Sequence, residues 1–198
     1  MYPDLTALMI LMFVAAFTPG PNNLLSSYSG FNFGLKKTLP LIYGVTFGFP
    51  LLIIIINSGL IIFFKKFPAL QEIIKILGSV FILYFAYKVA LNKSNGEQKI
   101  KNPVKFFNML FFQFINPKAV LFAIIVVSTF INMNENFIRD TAVVLSVAIS
   151  FSFTSIFSWC LLGKFLRKFA TNEKFIRAFN YVMSFSLIVC VILIYLKI

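Results

Sequence analysis

The stretch FTPGPNNLL, Phe17–Leu25, puts two prolines, a glycine and two asparagines at the end of an oily run. Proline in a helix interior removes a backbone donor and clashes with the preceding turn, at a cost of about 3 kcal/mol. The apolar run before it, Leu5–Thr18, covers about 21 Å at 1.5 Å per residue. That is too short to cross a hydrocarbon layer about 30 Å thick. The helix is therefore expected to break at Pro19–Gly20, well inside the membrane. It should resume at Pro21 and run on to Ser27 or Gly30. Irregular backbone at that depth survives only inside protein or against a watery cavity. Taken by itself, the stretch also fits a simple proline kink.

The composition places it in a membrane. Of 198 residues, 60% are hydrophobic, 27 are phenylalanine and only 12% are charged, against about 25% charged in a soluble domain. Six apolar runs, roughly 5–26, 40–63, 70–91, 105–131, 141–162 and 178–196, each approach the 20 or so residues a spanning helix needs. Runs such as FPLLIIII are continuously apolar, which excludes the alternation of a β-barrel. The first run lacks the basic start and the A-x-A-like end of a cleavable signal peptide, so it is expected to be retained.

The net charge of +12 reads as an orientation signal. Twelve Lys and Arg residues, including Lys36, Lys37, Lys105 and Arg167, fall in loops one, three and five, and five fall on the other side. The positive-inside rule then puts loops one, three and five in the cytoplasm and both termini outside. The basic face suits anionic lipid, and nothing in its placement points to nucleic acid. Cys160 and Cys190 lie 30 residues apart in apolar runs, and there is no histidine. No metal site, cofactor or redox pair is expected.

The fourth run repeats the interruption of the first. In QFINPKAVLF, Asn116-Pro117 sits near the middle of the run, and Pro117 lies 98 residues after Pro19. Runs one and four each open a group of three, and three is odd, so the groups insert in opposite senses. The expected fold is all-α and integral to the membrane: six transmembrane helices in two inverted repeats, 1–92 and 105–198, joined by a cytoplasmic linker, 93–104. The first helix of each repeat breaks at the midplane, which is the sequence pointer to a transporter's binding site. Pro21 and Pro117 suit the first position of the resumed helices, with Asn116 as N-cap. Both resumed helices then start mid-membrane, where their N-termini are partially positive. Lys118 adds a full charge about 20 Å from either end of its run, at about 2.5–3.5 kcal/mol on insertion scales. Snorkelling to an interface is the alternative reading of this lysine. Pro19, Gly20, Pro21, Asn22, Asn23, Asn116, Pro117 and Lys118 are the candidate substrate site. Positive helix ends and an ammonium suit a carboxylate, while carbonyls and amides suit an ammonium, so a small zwitterionic amino acid fits both. Gly44 and Gly48 form GVTFG, a small-residue pattern for close helix packing, and Asn57 and Ser58 are expected near the outer interface.

FTPGPNNLL, LIYGVTFGF, ILGSVFILYFAYK and QFINPKAVLF together resemble the LysE/RhtB amino-acid exporters, over nearly the whole chain. LLSSYSGFNFG and STFI look most like the cysteine/O-acetylserine exporter branch. The resemblance implies an inner-membrane exporter of small amino acids, by proton antiport, and is compatible with a homodimer. Phe49 stands where many members carry an acid, and Thr38 and Ser184 where many have glycine. No buried carboxylate or histidine is evident in the sequence to carry a proton. The rival function is a membrane-embedded redox or hydrolytic enzyme, which would need a nucleophile–base pair or cysteines in reach; a channel or passive scaffold is a further alternative.

Overall fold

The computed structural model describes residues 4–60, 66–91, 103–131, 136–170 and 173–196. Among these residues all the regular secondary structure is helical, with no strand. Seven α-helices follow in order: α1 Leu5–Phe17, α2 Pro21–Ile55, α3 Pro68–Ala90, α4 Phe106–Ile115, α5 Pro117–Phe130, α6 Phe137–Arg167 and α7 Glu173–Tyr195. A short π-helical segment, Ile56–Leu60, extends α2. Most of the 93–104 linker lies outside the described residues.

Four helical stretches are long and apolar enough to cross a membrane: Pro21–Gly59, Glu72–Ala90, Phe137–Arg167 and Glu173–Tyr195. A further one is the pair α4 and α5, apolar and long enough together but bent by 67° at Asn116. The protein is thus a multi-pass membrane protein. Bulky apolar side chains such as Ile10, Phe107, Phe111, Leu121 and Phe185 are more than half exposed, as a surface turned to lipid requires.

α2 is 35 residues long, yet it is not one straight rod. Gly34 has φ 76 and ψ 173, a region essentially reserved for glycine. The hydroxyls of Ser29 and Thr38 lie 2.9 Å apart across this point. In a straight helix nine residues would separate them by about 13 Å, so the axis must turn sharply at Gly34. The turn falls between the first and second apolar runs, beside Lys36 and Lys37.

α2 packs chiefly on α6, with α4 alongside, and α3 packs on α7. Lipid supplies no hydrophobic drive between helices, so close backbone approach matters. Gly44 and Gly48 serve that purpose: a Cβ on Gly44 would meet the Met109 Cβ at 2.8 Å, and one on Gly48 would meet the Leu110 Cα at 2.9 Å. Gly30 and Gly163 bring α2 and α6 together in the same way, each facing the other helix's backbone. Thr38 and Ser184, which stand where many family members have glycine, each bond to a backbone carbonyl. Thr38 Oγ1 donates to the Gly34 carbonyl at 2.8 Å, and Ser184 Oγ donates to the Ala86 carbonyl at 2.9 Å, tying α7 to α3.

Replacing Gly34 by alanine meets no steric neighbour, since nothing lies within 4 Å of the added Cβ. The cost is therefore backbone strain alone, about 1–3 kcal/mol. Thermal unfolding of the purified Gly34→Ala protein in detergent should shift down by several degrees, and an unchanged midpoint would contradict the turn.

Candidate functional site

Both predicted breaks are present. α1 ends at Phe17; Thr18 and Pro19 are non-helical, and Gly20, with φ −164, leads into Pro21 as the first residue of α2. In the second break Asn116 is both the C-cap of α4 and the N-cap of α5, and Pro117 is the first residue of α5. The Asn116 side-chain oxygen accepts from the Lys118 backbone N–H at 3.2 Å. That is the capping role its residue type predicts.

The two breaks meet. Lys118 Nζ donates to the Thr18 carbonyl at 2.9 Å, joining residues 100 apart in sequence. Gly20 makes room for the ammonium: a Cβ there would stand 2.9 Å from Lys118 Nζ. The side chain thus lies across the first break rather than reaching along its own helix to an interface. Its partner is a carbonyl, and no ion pair involving Lys118 occurs among the described residues. The ammonium thus rests against a carbonyl dipole.

Breaking α1 frees carbonyls, and side chains take them up. Asn23 Nδ2 donates to the Ala16 and Thr18 carbonyls at 2.8 and 2.9 Å. Ser155 Oγ of α6 donates to Ala16 as well, at 2.7 Å. Asn22 pairs with Gln113 of α4 by two amide bonds, 2.8 and 3.3 Å, so the two broken regions are also joined beside the site. In this conformation Asn23 caps the break, and Asn22 is held by Gln113. The backbone N–H groups of Asn22 and Asn23 precede the first intrahelical bond of α2, Leu24 N–H to the Gly20 carbonyl. They lie in the partially positive N-terminal turn.

Two cavities adjoin here. One, of about 70 Å³, is lined by Ala16, Asn23, Phe49, Ser152, Lys118 and Gly20. It is several times the roughly 10–15 Å³ that one water needs. The other, of about 500 Å³, is lined by Thr18, Pro19, Pro117, Cys190, Glu72 and again Lys118. Gly20, Pro21 and Lys118 line both. All eight sequence-predicted residues therefore lie in one region. Sequence reading missed Gln113, Ser152 and Ser155. Gln113 was signalled only as a lone amide in FFQFINPK, and the serines only as small polar residues in a phenylalanine-rich run.

The arrangement offers an ammonium, two helix N-termini and serine hydroxyls around a small space, which can hold a carboxylate and a short polar group. It offers no activated nucleophile. Cys160 is buried and Cys190 half-buried, both as free thiols, and no cluster of metal-binding side chains occurs among the described residues.

Comparison with known proteins gives the same direction. Residues 13–197 match the family described as LysE type translocator. A cysteine/O-acetylserine efflux protein of Salmonella choleraesuis is 26% identical over 195 residues, covering 96% of this chain and 97% of its own. Proteins of the same name in Escherichia coli O139:H28 and K12 are 24% identical with the same coverage. No solved structure matches. With the family covering nearly all of it, the chain belongs to the LysE type translocators, and is a transporter rather than an enzyme.

Proposed function

We propose that the protein exports a small neutral amino acid across the inner membrane in exchange for protons, with cysteine and O-acetylserine as first candidates. The relatives' names supply those candidates. The observation that carries the reading is the Lys118 ammonium resting on the Thr18 carbonyl where the two cavities adjoin. A substrate carboxylate is a stronger partner for an ammonium than a carbonyl is. On binding it draws Lys118 off Thr18, and so loosens the tie between the two broken spans. Its amino group then takes the place of Lys118 at the carbonyl end of α1.

On this reading there are six crossings, with the turn at Gly34 separating the first two, arranged as two inverted triplets that rock about the breaks. Both termini lie outside, as the distribution of Lys and Arg favours. The larger cavity, with Glu72 and Lys75 near the start of α3, is then the outward vestibule, and the smaller one holds the substrate. Two copies side by side would leave each site intact, since it is built within one chain.

A charged hydrogen bond is worth about 1.5–3 kcal/mol, so Lys118→Met should lower efflux of O-acetylserine from loaded proteoliposomes about ten- to hundredfold. Normal efflux would remove Lys118 from the site. In Gly20→Ala the added methyl displaces a flexible side-chain end rather than backbone. That variant should fold normally and transport severalfold more slowly; wild-type efflux with a wild-type melting curve would count against the close fit of Gly20 to Lys118.

A further inference from the structure

At the end of α6 that follows the 132–135 segment lies a carboxyl group that the sequence reading left outside the membrane. The fifth apolar run begins at residue 141, but α6 begins at Phe137, so Asp140 is in its first turn. Asp140 is 0% exposed, and neither carboxyl oxygen has a hydrogen-bond partner among the described residues. Its backbone N–H is already bound to the Asn136 carbonyl at 2.8 Å. Beside it, Asn57 of the π-helical segment is also buried. Its Nδ2 donates to Thr141 Oγ1 at 3.1 Å, and its Oδ1 is without a partner among the described residues. One turn along α6, Val144 is fully buried in an apolar cluster with Ile53, Ile56 and Val127.

The charged groups on the surrounding helices do not answer Asp140. On α6 itself Arg139 is exposed. On α1 the charged residue is Asp4, which is exposed and caps its own helix through Ala7 N–H. α5 carries Lys118, at its opposite end. α2 carries Lys36 and Lys37 beside the Gly34 turn, with no charged residue from there to Leu60. The ion pairs among the described residues are Glu72–Lys75 and Glu173–Arg177.

A bare carboxylate in such a place costs several kcal/mol or more, and ionisable groups kept inside membranes mark proton relays and ion paths. A calcium or magnesium ion is the poorer occupant. It takes about six or more oxygen ligands, and this seam offers a carboxyl, one amide oxygen and the Thr141 hydroxyl. A proton needs no cage. We propose that Asp140 carries the coupling proton of the transport cycle, a role that rests on the export reading above. The O–H bond forms at the Asp140 carboxyl when the seam between α2 and α6 opens to the side of higher proton activity. It is held while the seam is closed, and breaks when the seam opens to the other side. One proton then moves opposite to one zwitterionic amino acid.

The test uses purified protein in proteoliposomes with labelled O-acetyl-L-serine and two assays: transport driven by a pH gradient, and counterflow against the same amino acid with no gradient. Asp140→Asn should lose gradient-driven transport, falling to the rate without a gradient, while counterflow stays within about twofold of wild type. Asp140→Glu should restore part of the gradient response. Asp140→Asn retaining the gradient response would overturn the assignment and leave the export reading standing. Loss of both activities in Asp140→Asn would mark a structural residue and overturn it too. Wild-type protein without counterflow would instead sink the export reading with this substrate.

Discussion

Backbone polar groups inside a membrane must find partners within the protein. The breaks at Pro19–Gly20 and Asn116–Pro117 free such groups, and the surrounding helices are arranged to receive them. The carbonyls at the end of α1 are met by Asn23 from beyond the break, Ser155 from α6 and Lys118 from α5. Three elements distant in sequence are thereby fixed around one point. Those same polar bonds are the ones a substrate can compete for. Under the proposed function, satisfying a broken helix and recognising a zwitterion are one chemical arrangement.

Holding that point together requires close packing in a solvent that gives no hydrophobic help. α2 and α6 approach through Gly30 and Gly163, and α2 and α4 through Gly44 and Gly48. Gly78 of α3 meets the second break directly, with the Pro117 Cδ at 2.6 Å from where its Cβ would be. The glycines let rigid rods lie against irregular backbone, so Asn116 at the second break is buried, while Thr18 and Pro19 at the first stay exposed and line the larger cavity.

The features legible in sequence were those fixed by local chemistry. Proline and asparagine dictate where a helix can start, so Pro21, Asn116 and Pro117 could be placed to the residue. GVTFG read correctly as packing because small residues at that spacing have one dominant use. Residues whose meaning depends on a distant partner stayed hidden. Gln113 becomes informative only once Asn22 is seen to lie against it, and Ser155 only once Ala16 has lost its helical partner. Gly34 was one glycine among 9, and only the Ser29–Thr38 approach shows that the chain turns there. Asp140 fell beyond the edge of its apolar run, because hydropathy marks where apolar residues stop and not where burial stops.

Recognition of the carboxylate at the meeting of the two breaks is the claim on which transport rests. The most direct measurement is competition for binding to the purified wild-type protein, comparing L-cysteine with cysteamine, which keeps the amine and thiol but lacks the carboxylate. L-Cysteine should compete and cysteamine should not at the same concentrations. Equal competition by both would contradict an electropositive site built from Lys118 and the two helix ends.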